Sequence, residues 1–139
     1  MALSKMPYYR EYGRHLVAEN YVLAIECLQR LIEENGADLV EDEISYITSC
    51  IGRLFFLSGD RDKSLRLFIE SEEIAEGSYQ AKYLFAQFLL NDLKDIPAGL
   101  KKCKDCIDAL RNSPFEESDQ DFSSQSYIKR FEELASNFS

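Results

Sequence analysis

The sequence lacks the usual markers of catalysis. It holds one histidine, His15, and no glycine-rich phosphate loop, HExxH or GxSxG. His15 has no Cys or Ser partner close to it in sequence, so it is expected as a helix-surface or partly buried side chain. Four cysteines, Cys27, Cys50, Cys103 and Cys106, are too few for a disulfide scaffold. Cys103 and Cys106 form a CxxC, but a structural zinc site needs four ligands and the chain has no second CxxC. A redox CxxC sits where a strand meets a helix start, whereas this one lies within a helical stripe and is expected in the core. These absences predict no enzyme, no metal and no cofactor.

Long apolar runs are missing too. Leu54-Phe55-Phe56-Leu57 is far too short to cross a bilayer, and the first residues show no apolar stretch followed by a small-residue cleavage site. A cytoplasmic protein is expected. Sixteen Lys and Arg against 25 Asp and Glu give a net charge of −9 over 139 residues. That charge repels phosphate backbones and anionic lipid, and so excludes nucleic acid and membrane as expected partners. It favours solubility, or steering towards a basic surface on another protein.

What the chain does have is helical periodicity from end to end, with no stretch of strict alternation. Tyr21, Ala24, Ile25, Leu28, Leu31 and Ile32 form one apolar stripe, which stops at Asn35-Gly36. Leu65, Phe68, Ile69 and Ile74 form a second, ending near Gly77, and Leu100, Cys103, Cys106, Ile107 and Leu110 a third, halted by Asn112-Ser113-Pro114. Each stripe follows a capping residue, Asn20, Asp60 or Asp95, and four residues after each cap comes a small one, Ala24, Ser64 or Gly99. The caps lie 40 and 35 residues apart, the spacing of stacked helical hairpins.

Gly13, Gly52 and Ala86 stand in the helices before the caps, each followed three residues later by Leu16, Phe55 or Leu89. Gly52 is expected to meet Ser64 where the paired helices approach closely. The distances from small residue to cap, 7, 8 and 9, predict turns that lengthen by one each time. Beyond them the polar stretch 113–123 is expected as a loop. Tyr127, Ile128, Phe131, Leu134, Ala135 and Phe138 then trace one face of a last helix. Phe115, Phe122 and Phe138 could either seal the core or join two copies.

The middle unit, with Ile51-Gly52, Phe55, "SGD" at its turn, Ser64 and Phe68, resembles a tetratricopeptide repeat. Gly13, Leu16, Ala24 and Leu28 resemble the same pattern more loosely, as do Ala86, Leu89, Gly99 and Cys103. "GSYQAKYLFAQFLL" followed by "KDIPAG" is also similar to the Sel-like variant. The resemblance implies an all-α fold: one domain over 1–139, a right-handed α-solenoid of about three repeats (about 6–36, 43–77 and 78–112) with a capping helix at 124–138. It further implies a concave groove, lined by the first helix of each pair, that binds a partner protein or peptide.

Residues after the small position would line that groove. Arg14, Arg53 and Gln87 form a polar ladder suited to carboxylates, with Arg10, Tyr46, Phe56, Tyr83, Leu90 and Asn91 one turn away. The expected function is a non-enzymatic interaction module whose partner is basic or carboxylate-bearing. An immunity or antitoxin-type protein neutralising a basic toxin, or a secretion-type chaperone or adaptor, would each fit.

Overall fold

A computed structural model describes residues 3–114 and 123–138. Among the described residues all regular structure is helical. After a 3₁₀ turn at Leu3–Lys5 come α1 (Pro7–Val17), α2 (Tyr21–Asn35), a second 3₁₀ turn (Gly36–Asp38), α3 (Glu41–Leu57) and α4 (Arg61–Ile74). The chain continues with α5 (Tyr79–Gln87), a π-helical turn (Phe88–Asp92), α6 (Ile96–Asn112) and α7 (Ser124–Ser136). Most of the expected 113–123 loop, with Phe115 and Phe122, lies outside the described residues. The chain divides into two compact units, Met1–Ala81 and Lys82–Ser139.

The helix starts follow from sequence. Asp60 and Asp95 each accept from the backbone N–H three residues on, at Lys63 (3.1 Å) and Ala98 (3.3 Å), which satisfies a donor that the first turn leaves orphaned. Asn20 stands at the same point before α2, but its side chain makes no capping bond. Glu43 reaches back to the N–H of Val40 at 3.1 Å, and Glu41-Asp42-Glu43 fill the first turn of α3. Three acids there complement the positive end of the helix dipole.

The connections between paired helices share one geometry. Glu19 N–H bonds Leu16 O (3.0 Å) and Asn20 N–H bonds His15 O (2.8 Å); Gly59 N–H bonds Phe56 O (3.0 Å) and Asp60 N–H bonds Phe55 O (2.9 Å). Both pairs are the double closure of a Schellman motif. The residue in the left-handed region, Glu19 (φ 58°), Gly59 (φ 100°) or Lys94 (φ 60°), stands immediately before the cap of the next helix in all three connections. The third keeps the left-handed residue and cap but carries one more residue. Asp95 N–H reaches Leu89 O at 2.9 Å and Leu93 N–H reaches Phe88 O at 2.9 Å, so the extra residue is absorbed as a π turn. The first two turns are therefore the same length, and only the third is longer.

In the first unit α1 packs on α2, α2 on α3, and α3 on α4. Its core joins Met6, Ala24, Ile25, Leu28 and Leu31 to Leu39, Ile47, Ile51 and Leu54. α3 and α4 approach closely at Gly52. A Cβ there would lie 3.1 Å from Phe68 Cδ2 and 3.2 Å from Leu67 Cβ, so Phe68 and Leu67, not Ser64, are what glycine makes room for. Small hydroxyl residues line the same crossing: the Ser45 hydroxyl donates to Ser71 O across it at 2.6 Å, and those of Ser64 and Ser71 donate to Arg61 O and Phe68 O in their own helix. These bonds let polar side chains be buried without loss of a hydrogen bond. Ile69, expected in the apolar stripe, is exposed.

In the second unit α6 packs against the π turn and against α7. Ala86, Phe88, Leu90, Cys103, Leu110 and Phe131 are almost wholly buried. Leu90 occupies the space a Cβ at Gly99 would need. Cys103 and Cys106 lie on the buried face of α6, and burial pushes the Cys103 thiol above its ordinary value. α7 buries Ser124, Tyr127, Ile128, Phe131 and Leu134 and exposes Gln125, Lys129, Glu132 and Glu133.

No helix is long and apolar enough to cross a membrane among the described residues.

Candidate functional site

A cluster of tyrosines and a thiol converges on α1 and α3 of the first unit. Tyr9 and Tyr12 stand one turn apart on α1, with ring centroids 5.5 Å apart and planes at 40°. Tyr46, Cys50 and Arg53 stand at i, i+4 and i+7 on α3 and so share one face. The Tyr9 and Tyr46 hydroxyls meet at 3.4 Å, linking the two helices. The Cys50 thiol interacts with both Tyr46 and Tyr12, and the Arg53 charge acts on it. On its other flank α1 faces α2, where Tyr8 interacts with Glu34 and Arg30.

These groups hold one another neutral. Burial pushes the Cys50 thiol up, against a smaller downward pull from Tyr46, Tyr12 and Arg53. Burial, then the neighbouring Cys50, raises Tyr12 well above the ordinary tyrosine value. For Tyr46 the first cause is the cost of placing two negative charges side by side should Cys50 also ionise, followed by burial and the bond to Tyr9. A protonated thiol is a poor nucleophile. The face therefore offers neutral hydroxyl and thiol groups, aromatic rings and one guanidinium, a set suited to recognition. Among the described residues no group of His, Cys, Asp and Glu could hold a metal ion.

The structure places the expected groove residues unevenly. In the first unit Tyr46 and Arg53 belong to the cluster, Phe56 is half-buried, and Arg10 and Arg14 are exposed. Arg14 bonds Glu11 at 2.7 Å, and His15 lies 4.0 Å from the same carboxyl group. Because the first two turns are equal, Gly13 falls level with Arg53, each seven residues before its cap, and Arg14 falls level with the buried Leu54. Arg14 and Arg53 are thus not equivalent rungs of a ladder.

In the second unit Tyr83 is half-buried, its ring edge-on to Phe131 at 5.5 Å and 75°, Gln87 is half-buried, and Asn91 is exposed in the π turn. Leu90 is fully buried against Gly99, because the π turn carries it inward, and is a packing residue instead of a groove residue.

Tyr9, Tyr12 and Cys50 are the members that sequence reasoning missed. Their signal was present as Tyr9-x-x-Tyr12 beside Tyr46-x-x-x-Cys50, but it joins helices that are not neighbours in sequence. Comparison of the chain with protein-family models, with curated proteins and with solved structures finds no match.

Proposed function

We propose that the chain is a non-enzymatic interaction module that binds a partner protein or peptide on the α1–α3 face. One observation carries this reading: the tyrosine and thiol cluster beside Arg53 gathers neutral donors, aromatic rings and a cation on the first helices of two successive hairpins. Aromatic and arginine side chains are the residues that most often anchor interfaces. The repeated left-handed residue and cap before α2, α4 and α6 support the finer architecture we propose, a right-handed α-solenoid of about three tetratricopeptide-like repeats in a cytoplasmic protein. The polar outer face of α7 suits a capping helix.

The test is quantitative affinity capture from the native source with wild-type and Arg53→Glu protein. The variant should recover the principal partner at least about tenfold less while melting as the wild type does. Equal recovery would remove the α1–α3 face as the binding site. A second reading rests on the exposed Glu33 and Glu34 at the end of α2, Asp38 after it, and Glu41 and Asp42 at the start of α3. In that case the chain neutralises a basic protein such as a toxin, and its association rate falls steeply with salt while Arg53→Glu has no effect.

A further inference from the structure

α1 is the least securely held helix of the first unit. It alone among the α-helices of the described residues has no buried residue, whereas α2 buries Ala24, Ile25, Leu28 and Leu31. Tyr8, Tyr9, Tyr12 and Leu16 pack against the core but stay half-buried. Nothing local makes up for this. The start of α1 has no side-chain cap, and Gly13 weakens its interior more than any residue except proline would. A Cβ at Gly13 would meet nothing within 4 Å, so, unlike Gly52 and Gly99, it lets no neighbour come closer. Glu19, just beyond the helix, holds left-handed backbone at φ 58°, which costs a residue with a side chain. The ion pair of Arg14 with Glu11 at 2.7 Å joins α1 to itself. The bond from Tyr9 to Tyr46 on α3 is long, at 3.4 Å.

We propose that α1 is a strap: it opens as one unit about the turn at residues 18–20 while α2, α3 and α4 stay folded, and so uncovers Tyr46, Cys50 and the core residues on which Tyr12 and Leu16 pack. Opening gives up only half-buried contacts and returns conformational freedom to the segment. At 11 residues α1 is too short to persist as a helix on its own, so once off the body it unravels whole, and the opening is a single event. The strap carries Tyr9 and Tyr12, so the α1–α3 face exists only while it is shut, and a partner bound there would hold it shut. The opening itself stands whether or not that face binds a partner.

The test is native-state hydrogen exchange, read by NMR on the full chain, for the wild type, Gly13→Ala and Gly59→Ala. In the wild type the amides of residues 11–17 should share one level of protection, at least about tenfold below that of the slowest amides of α3. Gly13→Ala should slow their exchange about fivefold, because the helix gains and nothing clashes. Gly59→Ala strains the turn between α3 and α4 and should quicken exchange in α3 about fivefold or more, while leaving residues 11–17 as they were. Amides of α1 as protected as those of α3, or quickened with them by Gly59→Ala, would mean that α1 unfolds only with the whole unit, and would overturn the strap. Protection that falls away gradually from one end of α1, or that Gly13→Ala leaves unchanged, would overturn it too.

Discussion

Leu90 and Gly99 give the sharpest test of how the second unit is built. The Leu90 side chain fills the position a Cβ at Gly99 would take, and Leu90 and Gly99 are both buried. Gly99→Ala gains about 1 kcal/mol of helix propensity. Against that, forcing a methyl group into a filled site costs about 1–3 kcal/mol, so the net expectation is a loss of about 1 kcal/mol. Leu90→Ala alone should cost about 3 kcal/mol, because the side chain is wholly buried and leaves a cavity. In the double variant the methyl group introduced by Gly99→Ala enters that cavity and the propensity gain is realised. The pair should then cost clearly less than the sum of the two changes, with a coupling energy of about 1.5 kcal/mol or more. Urea unfolding followed by far-UV circular dichroism reads all three, at about 0.5 M of midpoint per kcal/mol. Additive costs, or a Gly99→Ala midpoint at or above the wild type, would refute the seating of Leu90 on Gly99 and with it the role given to the π turn.

Three further outcomes rest on features already described. Glu19 and Lys94 hold left-handed backbone at φ 58° and 60°, so Glu19→Gly and Lys94→Gly should each raise unfolding stability by about 0.5–1 kcal/mol. Gly59→Ala, at φ 100°, should lower it by about 1 kcal/mol or more, measured in the same urea titration. Tyr12 and Tyr46 are raised in the folded state, so above their ordinary value of about 10 the folded chain binds more protons than the unfolded one. Stability from these groups is therefore complete below about pH 10 and falls as pH rises further; Tyr46→Phe should make the alkaline fall of the urea midpoint shallower, and an identical slope would refute the coupling.

Much of the helical plan was legible in the sequence. Asn20, Asp60 and Asp95 stand before α2, α4 and α6, and Ala24, Ser64 and Gly99 are buried four residues on, because caps and small contacts depend on local chemistry. The turns were harder to read. Only Gly59 announces its left-handed residue; Glu19 and Lys94 adopt the same backbone without any compositional sign of it. Counting from glycine instead of from the turn moved Gly13 out of register by one, which misaligned Arg14 with Arg53. The π turn hid in a plain apolar run, so Leu90 read as a groove residue although it faces Gly99. The site was the least legible, since contact between Tyr9 and Tyr46 depends on how helices 37 residues apart in sequence come together.

The shared turn leaves no slack. Because the left-handed residue is followed at once by the cap of the next helix, the last bond of one helix and the first of its partner hinge on adjacent residues. A residue added between them must break one or the other, unless it is taken up inside the helix before the turn, as at Phe88–Asp92. Change of chain length is therefore confined to two kinds of place. One is the interior of a first helix, where it appears as a bulge; the other is the connection between hairpins, such as Gly36–Val40, where no such pair of bonds must be kept. Lengthening would thus alter the spacing between hairpins more readily than the crossing within one.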